Sequence, residues 1–462
     1  MTTISSNFGV AALSRLILGG ISLIIVGLLT RALGPEGYGH YSLIFAYLFI
    51  FTTLADLGLY SILVREVSRR DADEKLIVSN VLSLRLFALL LFLVIGNLTA
   101  LFLNYPIEVK LGILVASIFS IFSSLVQLLT GIFQKHLKLY YVSLADVAAR
   151  GVQLGLVFWA VRNGNSLSFF IWAVVFSEIV HFLLIFWFSR RLVRVGLSFD
   201  IIYWRKIATT TLPVAVSLVF VLLYFKLDTV LLSLLRPAYD VGVYSAAYKV
   251  LETIIFFPAI YLGLVMPLMS RHALDDRKSF KVIFKKSFDV LSIFAVPTMV
   301  FIYLRAADII NLIGGAQFVQ SISILRILSV AIFLIFFGNL GGNALIALDL
   351  QKKGMWIYFV GAIFNIGANI FFIPKYSYYA AAGTTVVTEL LVTILLFWLI
   401  KKETGVMFGS RVFLKSLLAA IITVAMVHPL HFSFIWATLA SLIYFPVLYL
   451  LGGIKTENLR EV

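Results

Sequence analysis

Apolar stretches of roughly 20 residues follow one another from end to end of this chain, with connectors of no more than about twenty residues between them. Each stretch is long enough to carry an α-helix across the ~30 Å hydrocarbon layer of a bilayer. About fourteen such segments lie near residues 8–33, 38–63, 78–103, 107–133, 141–162, 167–188, 208–235, 242–268, 287–304, 320–348, 356–374, 379–400, 412–428 and 432–451. Hydrophobic residues make up 61% of the chain and charged residues 13%, against about a quarter charged in soluble domains. The fold class expected is an all-α polytopic membrane protein. Two boundaries are the least defined: Ala306 to Gln320 reads as a connector or a short outer helix, and only His428-Pro429 divides the last two segments.

The connectors fix an orientation. Those after even-numbered spans, with the tail, hold 25 basic residues, and those after odd-numbered spans hold 6. By the positive-inside rule both termini face the cytoplasm, with the chain multi-pass in the cell (inner, cytoplasmic) membrane. The net charge of +15 is then mainly a topology signal, and dispersal over short loops argues against a nucleic-acid partner. The first segment is too long for a cleaved signal peptide and carries Arg15, so it reads as a retained span.

Several chemistries are excluded or disfavoured. The chain has no cysteine, hence no disulfides, thiolate metal sites or cysteine nucleophiles. The six histidines form no HxxxH or HExxH pattern, and no metal site is expected. Asp71-Ala72-Asp73 is formally a DxD motif, but its connector is too short for a nucleotide-binding domain, and it reads as a solvated acidic turn. No P-loop is present, so the protein does not hydrolyse ATP itself, and no catalytic residues are assigned.

An internal repeat organises the spans. Leu33-Gly34-Pro35 leading to Gly39-His40-Tyr41-Ser42 answers to Leu235-Arg236-Pro237 leading to Gly242-Val243-Tyr244-Ser245. Gln134-Lys135 after span four resembles Gln351-Lys352 after span ten, and Glu178 in span six answers to Glu389 in span twelve. Six spans separate the partners, so the halves share one orientation and are related by an axis along the membrane normal. The expected architecture is two pseudo-symmetric six-helix lobes around a central cavity, plus two extra C-terminal helices. The divisions expected are 1–190 (N-lobe), 191–206 (cytoplasmic linker), 207–402 (C-lobe) and 403–462 (spans thirteen and fourteen with the tail).

Charges inside the spans mark the candidate site. A charge at the centre of a spanning helix costs roughly 2.5–3.5 kcal/mol, so such residues imply an aqueous or protein-lined setting. The basic ones are Arg15, Arg85, Arg150, Lys226, Lys249 and Arg326; the acids weighed with them are Asp56, Asp146, Glu178, Asp228, Glu252 and Glu389. Asp146 with Arg150 and Lys249 with Glu252 have the spacing of local helical ion pairs. Arg15 either pairs with Asp56 or meets ligand. Arg85 and Arg326 have no evident local partner and are expected to contact substrate. Lys226 contacts substrate or snorkels outward. Asp228 orients a lysine or binds H⁺ or Na⁺, and Glu178 and Glu389 are protonated structural groups or proton-coupling groups.

Arg15, Arg85 and Asp56 lie roughly 10 Å from the cytoplasmic ends of their spans, and Lys226, Lys249 and Arg326 a comparable distance from the outer ends. The hypothesis is an inner basic site on the N-lobe and an outer one on the C-lobe, each suited to phosphate oxygens. Asn339 with Asn343, and Asn365 with Asn369, are polar stripes read as interhelical contacts ahead of sugar contacts. Tyr224, Tyr244 and Tyr248 are interfacial aromatics or platforms for sugar rings.

Asp228-Thr-Val-Leu-Leu, Val241-Gly-Val-Tyr-Ser-Ala-Ala-Tyr-Lys249 and Met266-Pro-Leu-Met-Ser-Arg271 resemble the seventh and eighth helices of the polysaccharide transport flippases. These belong to the multidrug/oligosaccharidyl-lipid/polysaccharide (MOP) exporter superfamily. Arg31-Ala-Leu-Gly-Pro-Glu-Gly-Tyr-Gly39, Asp56-Leu-Gly-Leu and Asn365 to Pro374 followed by Ala380 to Gly383 match other recurrent patches, over roughly the first 400 residues. The resemblance implies a flippase for an undecaprenyl- or dolichyl-diphosphate-linked oligosaccharide, working by alternating access in surface polysaccharide (O-antigen, capsule, exopolysaccharide) assembly. It implies no covalent chemistry, no cofactor beyond H⁺ or Na⁺ coupling, and lipid-linked oligosaccharide and membrane lipid as partners, with a polymerase or transferase beyond. Two departures stand out: many relatives stop at twelve helices, and no glycine lies between Pro374 and Ala380 here. The competing readings are a cation-coupled multidrug antiporter of the same superfamily, disfavoured by buried Lys226, Lys249 and Arg326, and a membrane glycan polymerase or ligase, disfavoured by the short outer connectors.

Overall fold

The computed structural model describes residues 2–56, 58–67, 73–136, 138–164, 166–193, 196–205, 207, 226–273, 276–406, 409–427 and 433–454, and for residues 2–16 and 61 the backbone alone. The side chain of Arg15, the pair Asp71-Ala72, Tyr224 with the first part of span seven, and His428-Pro429 lie outside the described residues. No strand occurs among the described residues, and the protein is an all-α polytopic membrane protein of about fourteen helices, ten of them, among the described residues, long and apolar enough to cross a membrane.

Some spans run together. Thr2–Asp56 joins spans one and two through Gly34, whose φ of 64° suits glycine, and Pro35 then starts the next helix with a pre-set φ. Gln351–Thr404 joins spans eleven and twelve in the same way at Ser377, φ 49°. The break has no glycine: a serine holds the positive-φ position, with ψ −134°, at a cost of roughly 1–3 kcal/mol. Ser377→Gly is therefore expected to stabilise the protein by about 0.5–1 kcal/mol after the added freedom of the unfolded chain is subtracted. A raised thermal midpoint in detergent would show it; an unchanged or lowered one would mean the position is unstrained.

The ninth span, Arg277–Ile313, passes through non-helical Arg305, so residues 306–313 extend it, and Gly315–Phe318 forms a 3₁₀ turn before Gln320–Ala347. Span two ends earlier than its apolar run, at Asp56, and a separate short helix, Leu59–Val67, follows. Asp73 of the DxD motif caps Glu74–Phe102, its side chain accepting from Leu76 N at 3.0 Å. That is the ordinary work of an aspartate at a helix start.

The chain divides into two compact units, Met1–Gly242 and Val243–Val462. In the first, Leu167–Ser189 packs on Ile107–Lys135 and Leu139–Arg162, and Thr2–Asp56 packs on the latter. Val81, Leu129, Phe133 and Ile185 are central to its core. The connector after span six is pinned to span three: Ser198 N donates to Ser83 Oγ and Asp200 N to Asn80 Oδ1, each at 3.0 Å. Asn80 and Ser83 are buried, so these polar side chains in an apolar helix are satisfied by the connector's backbone.

Residues 226–242 belong to the first unit because they pack there. The Tyr105 and Ser233 hydroxyls lie 2.9 Å apart. A Cβ on Gly39 would stand 1.9 Å from the Ala238 carbonyl oxygen, and one on Gly242 would stand 1.8 Å from that of Pro35. Pro35 and Ala238 each precede their glycine by one helical turn, so the two copies of the repeated motif meet reciprocally, backbone on backbone.

In the second unit, Gln320–Ala347 is buried against Arg277–Ile313 and Gln351–Thr404. The C-terminal helices Ser410–Val427 and Tyr444–Leu450 close on Val296 through Ala419, Ala420, Tyr444 and Leu448, with the short helix Phe434–Ser441 between them in the chain. An apolar cavity of about 150 Å³ remains there, lined by Pro297, Phe301, Leu304, Ala420, Val424 and Tyr444.

Candidate functional site

Arg85 is 2% exposed, with an ion pair and two hydrogen bonds. Its Nη1 is ion-paired with Asp56, its Nε donates to Ser124 Oγ, and its Nη2 donates to Gln127 Oε1 at 2.9 Å. The reading that Arg85 has no evident partner is thus corrected. A guanidinium in a low-dielectric interior needs neutralising and hydrogen-bonding, and two neighbouring helices supply both, Asp56 from one and Ser124 with Gln127 from the other. Asp56, weighed as one of two possible partners for Arg15, is ion-paired with Arg85. Ser124 and Gln127 went unseen in the sequence because a search for charges passes over uncharged acceptors.

Asp146 and Arg150 share a helix but do not pair as their spacing suggested. Arg150 Nη1 donates to Gln153 Oε1 at 2.6 Å. Asp146 Oδ1 instead lies 3.2 Å from His181 Nε2, and Glu178 Oε1 lies 3.3 Å from His181 Nδ1. The i, i+3 spacing of Glu178 and His181 was the available sequence signal. Of the remaining first-unit candidates, Lys226 is half-buried and Asp228 is 1% exposed.

In the second unit the expected Lys249–Glu252 pair is present at 3.0 Å, with the lysine side chain still 32% exposed. Tyr244 and Tyr248 are buried and stacked on each other, with centroids 5.4 Å apart, and the Tyr244 hydroxyl meets Thr385 Oγ1 at 3.3 Å. Neither offers a face to a sugar ring. Arg326 is exposed, its guanidinium 5.8 Å from the Tyr303 ring.

Asn339 and Asn343 donate to carbonyls one turn back in their own helix and so do not bridge helices through those bonds. Asn365 does bridge, donating to Thr388 Oγ1 at 3.4 Å while accepting from Asn369 at 3.1 Å. Glu389 is 3% exposed; its Oε2 lies 3.7 Å from where a Cβ of Gly338 would stand, close to Thr393 on its own helix. Asp289, in the inner part of span nine, escaped the sequence reading although a count of charges would have found it. Its Oδ1 is buried without a hydrogen-bond partner.

These two sets of in-span charges have recognisable company. The family described as "Polysaccharide biosynthesis protein" matches residues 4–273, and the family MatE matches residues 213–371. A putative O-antigen transporter of Shigella flexneri is 23% identical over 403 residues, covering 84% of this chain and 95% of that protein. Among solved structures, a lipid II flippase, MurJ, in an inward closed conformation has a TM-score of 0.77 at 18% identity, covering 98% of this chain and 99% of that one. An inward-facing multidrug resistance MATE transporter has a TM-score of 0.68 at 16% identity, covering 85% and 98%.

Proposed function

The chain belongs to the polysaccharide biosynthesis protein family of the MOP superfamily, and on that premise we propose that it carries a polyprenyl-diphosphate-linked oligosaccharide from the inner to the outer leaflet by alternating access. Lys249 carries this reading. A cation held inside a spanning segment by Glu252, yet 32% exposed, suits a phosphate oxygen arriving from an aqueous path. Lys226 and Arg326 add positive charge in other spans, and Arg150 does so in the first unit. Arg85 is a positioning residue in this scheme, holding Asp56 and the fourth span in place. Both termini lie in the cytoplasm of a cell whose inner membrane holds the protein, as the loop charges favour. Asp228, Glu178 and Glu389 are the groups through which H⁺ or Na⁺ coupling would act, and the glycan is polymerised or transferred by other proteins outside.

A multidrug antiporter exporting cationic drugs, the competing reading within the superfamily, is disfavoured by those same basic side chains, which repel a cationic cargo. In a strain lacking the protein, Lys249→Ala supplied in trans is expected to reduce surface glycan at least tenfold while the lipid-linked unit accumulates inside. Quantified glycan labelling and extraction of the lipid-linked pool check this. Normal surface glycan with no internal accumulation would remove Lys249 from the mechanism, and normal glycan in the strain lacking the whole protein would end the flippase reading.

A further inference from the structure

Two stretches at the basic ends of spans six and twelve repeat each other. Phe186-Trp187-Phe188-Ser189-Arg190-Arg191 is answered 211 residues later, the offset that also relates Glu178 to Glu389, by Phe397-Trp398-Leu399-Ile400-Lys401-Lys402. The structure gives both copies the same contact. The Arg191 guanidinium lies 4.8 Å from the centre of the Trp187 ring, and the Lys402 ammonium lies 5.3 Å from that of Trp398. Each cation follows its ring by one helical turn. The tryptophans stand out from the protein, 53% and 56% exposed, and the four basic side chains are exposed with them.

An exposed tryptophan near the end of a span belongs by itself to the interfacial belt, and a basic residue there is by itself a topology signal. The contact between the two, and its recurrence in both units, is what these places add. A cation over a ring face keeps its full charge, whereas one sealed by a carboxylate is neutralised, so both places still attract an anion. In the second unit the neighbouring acid, Glu403, is taken by Lys353 at 2.5 Å and, through its carbonyl oxygen, by Arg277 at 3.4 Å. Deeper in the membrane the exposed face of each helix is apolar, with Leu183 and Phe176 in span six and Ile394 and Val387 in span twelve. Cation, amphipathic ring and apolar stripe thus follow one another in the order of the phosphate, the ester region and the acyl chains of a phospholipid. Two adjacent cations favour a lipid with net negative charge, because the ammonium of a zwitterionic headgroup would be repelled.

We infer that Trp187 with Arg190 and Arg191, and Trp398 with Lys401 and Lys402, are two repeat-related sites for an anionic phospholipid, one on each unit, in the leaflet to which the loop charges assign the cytoplasm. The sites hold whatever cargo the protein carries. The test gives the full-length, delipidated protein in detergent either phosphatidylglycerol or phosphatidylcholine with the same acyl chains, and counts bound lipid by native mass spectrometry. Two phosphatidylglycerol molecules are expected to bind at least about fivefold more tightly than phosphatidylcholine, the weight of one basic residue near a charged surface. Arg190→Gln/Arg191→Gln and Lys401→Gln/Lys402→Gln should each remove one of the two, and the combined variant both. Trp187→Leu and Trp398→Leu, which leave the charges in place, should each weaken one site about two- to fivefold. All six positions are exposed, and unchanged thermal midpoints verify that the variants keep the fold. Lys278→Gln/Lys285→Gln removes the same charge from exposed positions of span nine and should leave both sites intact. An equal loss in that control would reveal diffuse attraction to a basic face, and equal affinity for the two lipids would leave the face to an acidic protein; either result overturns the sites, as does undiminished phosphatidylglycerol binding in the combined variant.

Discussion

Alanine at Gly39 or at Gly242 is expected to lower the thermal midpoint of the detergent-solubilised protein more than any other glycine-to-alanine change in the spans, and to abolish glycan display. The new methyl group would sit 1.9 Å from the Ala238 carbonyl oxygen in one case and 1.8 Å from that of Pro35 in the other. Both obstacles are backbone, so no side chain can swing aside, and the helices must separate by about 1 Å or more to restore a normal contact. Overpacking of this kind costs roughly 1–3 kcal/mol, and a backbone obstacle puts these changes at the upper end. Because the contact is reciprocal, separation forced by one methyl makes room for the other, and the double variant should cost clearly less than the sum of the single ones. Gly367 and Gly383 are the controls: a Cβ at either meets nothing within 4 Å, so alanine there should be neutral or raise the midpoint through helix propensity. Equal effects at Gly39 and Gly383, or strict additivity of Gly39→Ala and Gly242→Ala, would mean the crossing is not a tight contact.

The pairing of those glycines was half legible beforehand. Matching Leu33-to-Ser42 with Leu235-to-Ser245 identifies two equivalent turns, but similarity alone does not say that the two copies touch. The spans themselves were readable because hydrophobic length is a local property, needing no knowledge of what packs on what. The site was not, because the partner of an in-span charge is chosen by helices that meet in space. Lys249 and Glu252 share one helical face and pair across it, and spacing found them. Asp146 and Arg150 have the same kind of spacing, yet a histidine from the next span and a glutamine on the same helix take the two side chains. Asp56 likewise meets an arginine at a depth that two arginines shared. Ser377 shows the limit from the backbone side: the absent glycine was visible in the sequence, whereas the positive-φ serine replacing it was not.

Arg85→Ala is expected to be the most damaging single substitution for stability, at roughly 3–5 kcal/mol, the usual cost of removing one member of a buried pair. It leaves Asp56, 19% exposed, without its ion-pair partner, and leaves Ser124 and Gln127 without their donor. Asp56 also ends its helix at Thr2–Asp56, where the negative end of the helix dipole opposes a carboxylate, so the guanidinium answers two unfavourable fields at once. Asp56→Asn should cost less, because the amide keeps an acceptor for Nη1 and carries no charge at the helix end. The combined Arg85→Met/Asp56→Leu variant should regain much of the loss, since an apolar pair of similar volume needs no desolvated charge. Thermal unfolding of the four proteins in one detergent measures the coupling directly. A structural role predicts that stability and glycan display fall in Arg85→Ala and recover together in the apolar pair. If Arg85→Ala unfolds like the wild type while glycan display is lost in both it and the apolar pair, then the guanidinium acts on the cargo and its closure by Asp56, Ser124 and Gln127 belongs to one state of the carrier's cycle.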